Sequence, residues 1–62
     1  MQNEQNNTER YEVKKRVQFG ILMGYYIFDN KELIETAHEF TEDEFNMAKS
    51  KAARLNTWLG ND

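Results

Sequence analysis

The side chains of this sequence that can do chemistry are few and stand apart. His38 lies beside Glu39 and near Glu35, and a histidine with carboxylates can act as a general base or a metal ligand. It is the single histidine and the chain has no cysteine, so a zinc site would have to be built almost wholly from carboxylates. Ser50 is the only serine and has no glycine elbow around it. We therefore predict that the protein is not an enzyme and uses no metal or cofactor.

A run of acidic residues comes next along the chain: Glu39, Glu42, Asp43 and Glu44. These acids lack the spacing and the central glycine of a calcium-binding EF-hand loop. Thr41 followed by Glu44 matches the S/T-x-x-E capping box, and acids near a helix N-terminus are stabilised by the helix dipole. This pattern predicts the start of a helix.

The one basic cluster, Lys14, Lys15 and Arg16, lies between Tyr11 and Phe19. On a strand, basic residues interleaved with aromatic ones can bind a nucleic acid: the basic side chains contact its phosphate backbone and the aromatic rings stack on its nucleobases. However, the net charge is -3 and the pI is about 5.1, which is opposite to the basic footprint of most nucleic-acid-binding proteins. The same residues would also keep a strand edge charged and prevent aggregation. Binding to nucleic acid, by a small dimeric regulator, is therefore the alternative prediction.

Length and composition limit the elements that can hold these residues. A chain of 62 residues makes at most one small domain, and without cysteine it is stabilised by core packing or self-association. Residues 1–9 contain no apolar side chain after Met1, so we predict a disordered tail, followed by a single domain over residues 10–62. The apolar stretch at residues 21–28 is far shorter than the roughly 20 residues of a membrane span. We expect a cytoplasmic protein that does not enter a membrane.

Two strands are predicted before the helix. Residues 11–19 alternate between apolar and charged side chains, apart from Lys15, and residues 21–28 are apolar on both faces. Gly20 or Gly24 can supply the turn or a bulge between them. The same segment also has apolar residues at a spacing of four, which is typical of a helix, but its glycines and β-branched residues favour strands. Residues 32–40 fit either a short helix or a third strand.

The last segment has the clearest pattern. Apolar residues recur every three or four positions at Phe45, Ala48, Ala52, Leu55 and Leu59, which predicts an amphipathic helix over residues 42–59. The predicted fold class is α+β: a small antiparallel sheet of two or three strands packed on one face by this helix. An all-α hairpin or bundle is the structural alternative.

One helix covers one face of a sheet, yet this chain has more large apolar side chains than one face requires. The residues that we expect at a protein interface are Met23, Tyr25, Tyr26, Ile27, Phe28 and Trp58. Tyrosine, tryptophan and methionine are enriched in interface cores. A second copy is the simplest partner, so the sequence predicts a homodimer.

The segment A37-x-x-F40-T41-x-x-E44-F45, which continues into Ala48, Ala52 and L55-N56, resembles short uncharacterised proteins of phages and prophages of Gram-positive bacteria. The present chain has Phe45 where those proteins usually have a small alanine. The resemblance implies an accessory protein that binds a host or phage protein. From it and the interface residues we expect a non-enzymatic protein-interaction module, such as a phage-encoded modulator or inhibitor.

Overall fold

The computed structural model describes residues 9–59, which form a three-stranded antiparallel sheet packed against one C-terminal helix. The elements in chain order are β1 (Tyr11–Gln18), β2 (Ile21–Asp29), β3 (Ile34–Phe40), a 3₁₀ turn (Glu42–Glu44) and α1 (Phe45–Leu59). The predicted α+β class is confirmed and the all-helical alternative is wrong. The predicted disordered tail falls almost wholly outside the described residues.

β1 and β2 form a hairpin with a two-residue turn. Gln18 pairs with Ile21, and the turn residues Phe19 and Gly20 have φ angles of 52° and 75°. Positive φ at both central residues is the geometry of a type I′ turn, whose twist matches that of the flanking strands. Gly20 therefore supplies the turn, which is one of the two predicted roles for the glycines.

Gly24 supplies the predicted bulge. Arg16 pairs with Gly24 but Val17 pairs with Leu22, so Met23 is an extra residue on β2. At Gly24 the backbone of β2 comes so close to β3 that a Cβ atom would collide with the carbonyl oxygen of Phe40. Glycine is the one residue that permits this approach.

Residues 32–40, which the sequence left open between helix and strand, form a tight turn and then β3. The backbone N–H of Leu33 donates to the carbonyl oxygen of Asp29 at 2.7 Å, and Leu33 has a φ of 62°. The register between β2 and β3 shifts between Tyr26 and Phe28. At this irregularity the hydroxyl of Thr36 donates to the carbonyl oxygen of Ile27 at 2.9 Å, so a side chain supplies one missing bond of the ladder.

The helix begins as predicted, through its capping residues. The carboxylate of Glu44 accepts the backbone N–H of Thr41 at 2.9 Å, although the first turn is 3₁₀ and α-helical geometry starts at Phe45. Ala48 and Ala52 are buried, which lets the helix approach the sheet closely. Phe45 and Leu59 lie at the ends of the predicted apolar stripe and are 42% and 47% exposed, because only the middle of the helix covers the sheet.

The core lies between the centre of α1 and one face of β1 and β2. Its members are Tyr11, Ile27 and Ala52, with Val13, Phe40 and Leu55 packed around them. Ile27 is the one large side chain of the described residues that is completely buried. The α-helix is too short and too polar to cross a lipid bilayer.

An ion pair between the half-buried Arg10 and the buried Asp29 closes the end of the sheet where β1 starts and β2 ends. The guanidinium of Arg10 donates two hydrogen bonds of 2.9 Å to the carboxylate of Asp29, and also reaches the carbonyl oxygen of Leu59 at 3.4 Å. Asp29 also accepts the backbone N–H groups of Lys31 and Glu32. The bonds from Arg10 are the main reason that the pKa of Asp29 is lowered from 3.8 to about 2.

Candidate functional site: an apolar hairpin tip

The residues predicted as possible catalytic or metal-binding groups are not brought together. His38 is half-buried on β3, where its backbone N–H donates to the Thr36 hydroxyl at 3.2 Å. Within residues 9–59, no group of three or more histidine, cysteine, aspartate or glutamate side chains is placed to hold a metal ion.

The predicted basic cluster is divided between the two faces of the sheet. Alternation along β1 places Lys14 and Arg16 on the open face, which is the face turned away from the helix, and Lys15 on the opposite face. Arg16 donates to the carboxylate of Glu35 at 2.7 Å and lies 3.6 Å from that of Glu39. The charge of Arg16 is thus already paired with carboxylates and is not free to bind a phosphate.

The open face carries aromatic rings, but basic side chains lie over them. The guanidinium carbon of Arg16 lies 4.4 Å from the centre of the Tyr26 ring, and the ammonium of Lys14 lies 5.4 Å from that of Phe28. Both rings are half-buried as a result. Cations stacked over aromatic rings are stabilised by the ring quadrupole and shield the ring from water. The open face therefore does not present the bare aromatic patch that the sequence suggested.

The other predicted interface residues have different surroundings. Ile27 is fully buried beneath the helix, and the ring of Tyr25 packs on that of Phe45 with centroids 4.9 Å apart. In this fold Ile27 is not available to a partner, and we remove it from the candidate interface. Met23 and Trp58 are 52% and 77% exposed, at the hairpin bulge and in the last turn of the helix.

The largest group of exposed apolar side chains lies at the end of the β1–β2 hairpin. We call residues 17–23 the hairpin tip; its exposed members are Val17, Phe19, Ile21 and Met23. Phe19 is 100% exposed, and no charged residue occurs between positions 17 and 28. The strand register places Val17 and Ile21 on opposite faces of the hairpin, so the exposed apolar side chains surround the turn on both sides.

The backbone of Phe19 adds a second observation. Left-handed φ costs a residue with a Cβ about 1 to 2 kcal/mol, and asparagine or aspartate is the usual choice at this position of a type I′ turn. Here a phenylalanine takes that conformation and gains no burial in return. The sequence signal was therefore present: Phe-Gly stands between two strands where Asn-Gly is expected.

The path of the helix leaves the tip uncovered. The helix starts beside Tyr25, through Phe45, and its last turns lie beside Tyr11 at the far end of the sheet. Residues 17–23 continue in the opposite direction, beyond the first turn of the helix. The tip thus projects beyond the helix and carries no charged side chain.

The chain shows no significant similarity to any protein-family model, to any curated protein or to any solved structure.

Proposed function

We propose that this protein is a non-enzymatic protein-interaction module that contacts its target through the hairpin tip. The observation that carries the proposal is Phe19, which is completely exposed and held in a left-handed conformation. Folding alone does not favour a phenylalanine there, since it adds strain and buries no surface. A binding partner that buries the ring supplies the missing advantage.

The shape and charge of the tip indicate the chemistry of its target site. A projecting aromatic side chain is best enclosed by a concave apolar pocket, where it acts as a central anchor of the interface. Val17, Ile21 and Met23 would pack around the rim of that pocket. A host or phage protein is the target that the sequence resemblance implies, with the module acting as its modulator or inhibitor. The absence of cysteine fits action in the cytoplasm.

Protein binding is preferred over nucleic-acid binding because of the partners of the basic residues. Arg16 is bonded to Glu35 and lies near Glu39, and Lys14 is 3.8 Å from the carboxylate of Glu12. On this face three carboxylates surround two cations, so a phosphate backbone would meet net negative charge.

Substitution of Phe19 by asparagine separates function from folding. Asparagine suits the left-handed turn position, so Phe19→Asn should keep or raise the thermal midpoint while removing the anchor. Immobilised wild-type protein and the variant would be used to capture targets from host-cell lysate, with capture quantified by mass spectrometry. We expect at least one protein that binds directly, when purified, to the wild type and at least about tenfold more weakly to Phe19→Asn.

Leu33 offers a matched control. It is also an exposed apolar residue with left-handed φ, but it lies at the opposite end of the sheet. Leu33→Asn likewise replaces an exposed apolar side chain by asparagine and should leave target binding intact. Equal loss of binding in both variants, or no loss in Phe19→Asn, would refute the role of the tip.

A further inference from the structure

A groove runs along the exposed side of α1. It has a volume of about 370 Å³ and is lined by Phe40, Asn46, Met47, Ser50, Lys51 and Arg54. Phe40 and Met47 form its apolar part, and Met47 is 58% exposed. A groove of this volume is at the lower end of the range of ligand-binding pockets and can take one or two side chains of a partner.

The charges along the helix are segregated. α1 contains Lys49, Lys51 and Arg54 and no acidic residue. The 3₁₀ turn that precedes it carries Glu42, Asp43 and Glu44 and no base. In the part of the chain that the structure describes, neither Lys51 nor Arg54 forms an ion pair. The groove is therefore basic towards the middle of the helix and is bordered by negative charge near its start.

This arrangement distinguishes between possible ligands. A nucleic acid carries uniform negative charge, so its backbone would gain from Lys51 and Arg54 but be repelled by the acidic turn. A peptide can place an apolar side chain at one end and acidic side chains at the other, and so match both parts of the groove. Apolar anchoring combined with complementary charge is typical of peptide recognition by helix-lined grooves.

We propose that this groove binds a peptide segment of a partner protein in which an apolar side chain is followed by acidic ones. The apolar side chain packs against Phe40 and Met47, and the acidic side chains pair with Lys51 and Arg54. None of the residues that line the groove belongs to the hairpin tip, so this proposal does not rest on the proposed function.

Selection from a random peptide library on the immobilised full chain tests the proposal. We expect enrichment of peptides with a leucine or an aromatic residue beside two or more acids. Fluorescence anisotropy with the enriched peptides, synthesised and labelled, then measures affinity. The double variant Lys51→Glu/Arg54→Glu should weaken binding at least about tenfold, while Lys49→Glu, on the same helix but outside the groove, should leave binding nearly unchanged.

Two further measurements distinguish a loss of charge pairing from a folding defect. The variant Lys51→Gln/Arg54→Gln removes charge without reversing it and should weaken binding to a smaller extent. Peptides resynthesised with lysine in place of each acid should bind the glutamate double variant better than the wild type, which an unfolded variant cannot reproduce.

Four outcomes would overturn the proposal, and the first three concern the peptides and the variants. They are enrichment of peptides without acids, binding that survives charge reversal, and binding that is lost in Phe19→Asn but kept in the double variant. Displacement of the peptides by a short single-stranded DNA, with the same dependence on Lys51 and Arg54, would assign the groove to nucleic acid instead and also overturn it.

Discussion

The side-chain amide of Asn56 pairs with the backbone of Tyr11 as a neighbouring β-strand would. The N–H of Tyr11 donates to the Asn56 side-chain oxygen at 2.8 Å, and the Asn56 amide nitrogen donates to the Tyr11 carbonyl oxygen at 2.9 Å. Tyr11 lies at the start of an edge strand, whose outward N–H and C=O groups would otherwise be open to pairing with another chain. The helix thus both binds the sheet and closes one end of its edge.

Asn56→Ala should destabilise the fold by about 1 to 3 kcal/mol, because it leaves both backbone groups of Tyr11 without a partner. Asn56→Asp should cost more, since a carboxylate would face the Tyr11 carbonyl oxygen. Urea unfolding followed by circular dichroism measures both. Thr57→Ala, which removes an exposed hydroxyl bonded to the Ala53 carbonyl, is the control and should change stability little. A similar loss in the control would contradict this role of Asn56.

The pair formed by Arg10 and Asp29 makes stability depend on pH in the acid range. The pKa of Asp29 is about 2 in the folded protein against an ordinary value of 3.8. Because the folded value is lower, this contribution is present above pH 3.8 and is lost as the pH falls towards 2. Asp29→Asn should therefore flatten the fall in stability over this window. Glu42→Gln, at an exposed position, should not; equal pH profiles for wild type and Asp29→Asn would contradict the assignment.

Gly24 and Gly20 should respond differently to alanine. At Gly24 a methyl group collides with the Phe40 carbonyl oxygen, so Gly24→Ala must separate β2 from β3 and should cost at least about 2 kcal/mol. At Gly20 there is open space, and Gly20→Ala should cost about 1 kcal/mol from the left-handed φ alone. Thermal unfolding of the two variants compares their losses of stability. Equal midpoints would show that the close approach of β2 and β3 at Gly24 relaxes easily.

The homodimer stays a prediction, and the structure changes the surface at which we expect it. The open face is covered by Arg16 and Lys14, and the hairpin tip is the exposed apolar surface at which we expect a second copy to bind. A specific interface buries at least about 1,000 Å² in total, and each tip offers only four exposed apolar side chains. We expect a weak dimer at high micromolar concentration that Phe19→Asn abolishes and Tyr26→Asp does not. Sedimentation equilibrium that shows a monomer at all concentrations would contradict this.

Elements with a local signal could be predicted from the sequence. Alternation in β1 and the capping pair Thr41 and Glu44 depend on neighbouring residues, and both led to the correct element. Residues 32–40 could not be assigned, because the choice between helix and strand there is made by pairing with β2, which is not a local property.

The candidate site could be predicted only in part. The sequence shows that residues 21–28 contain more apolar side chains than one sheet face needs. Which of them lie in the core, on the covered face or at the exposed tip depends on the strand register. Arg16 shields Tyr26 because Glu35 and Glu39 of β3 hold the guanidinium in place, and these residues are far apart along the chain. Phe19 lies outside the apolar run of residues 21–28, and its full exposure follows from the two-residue turn, which is fixed by the pairing of Gln18 with Ile21.

The consecutive order of the strands has a consequence for the folding pathway. The two hairpins close short loops. In contrast, the hydrogen bonds that join the helix to the start of β1 connect Tyr11 with Asn56 and Arg10 with Leu59, which are separated by 45 and 49 positions in the chain. Closing a longer loop costs more entropy, so we expect the sheet to form before the helix docks against the first strand. In stopped-flow experiments Asn56→Ala should then speed unfolding more than it slows refolding. Docking of the helix late in folding would leave the β1 edge briefly open, and crowded chains would be most prone to pair with one another during that interval.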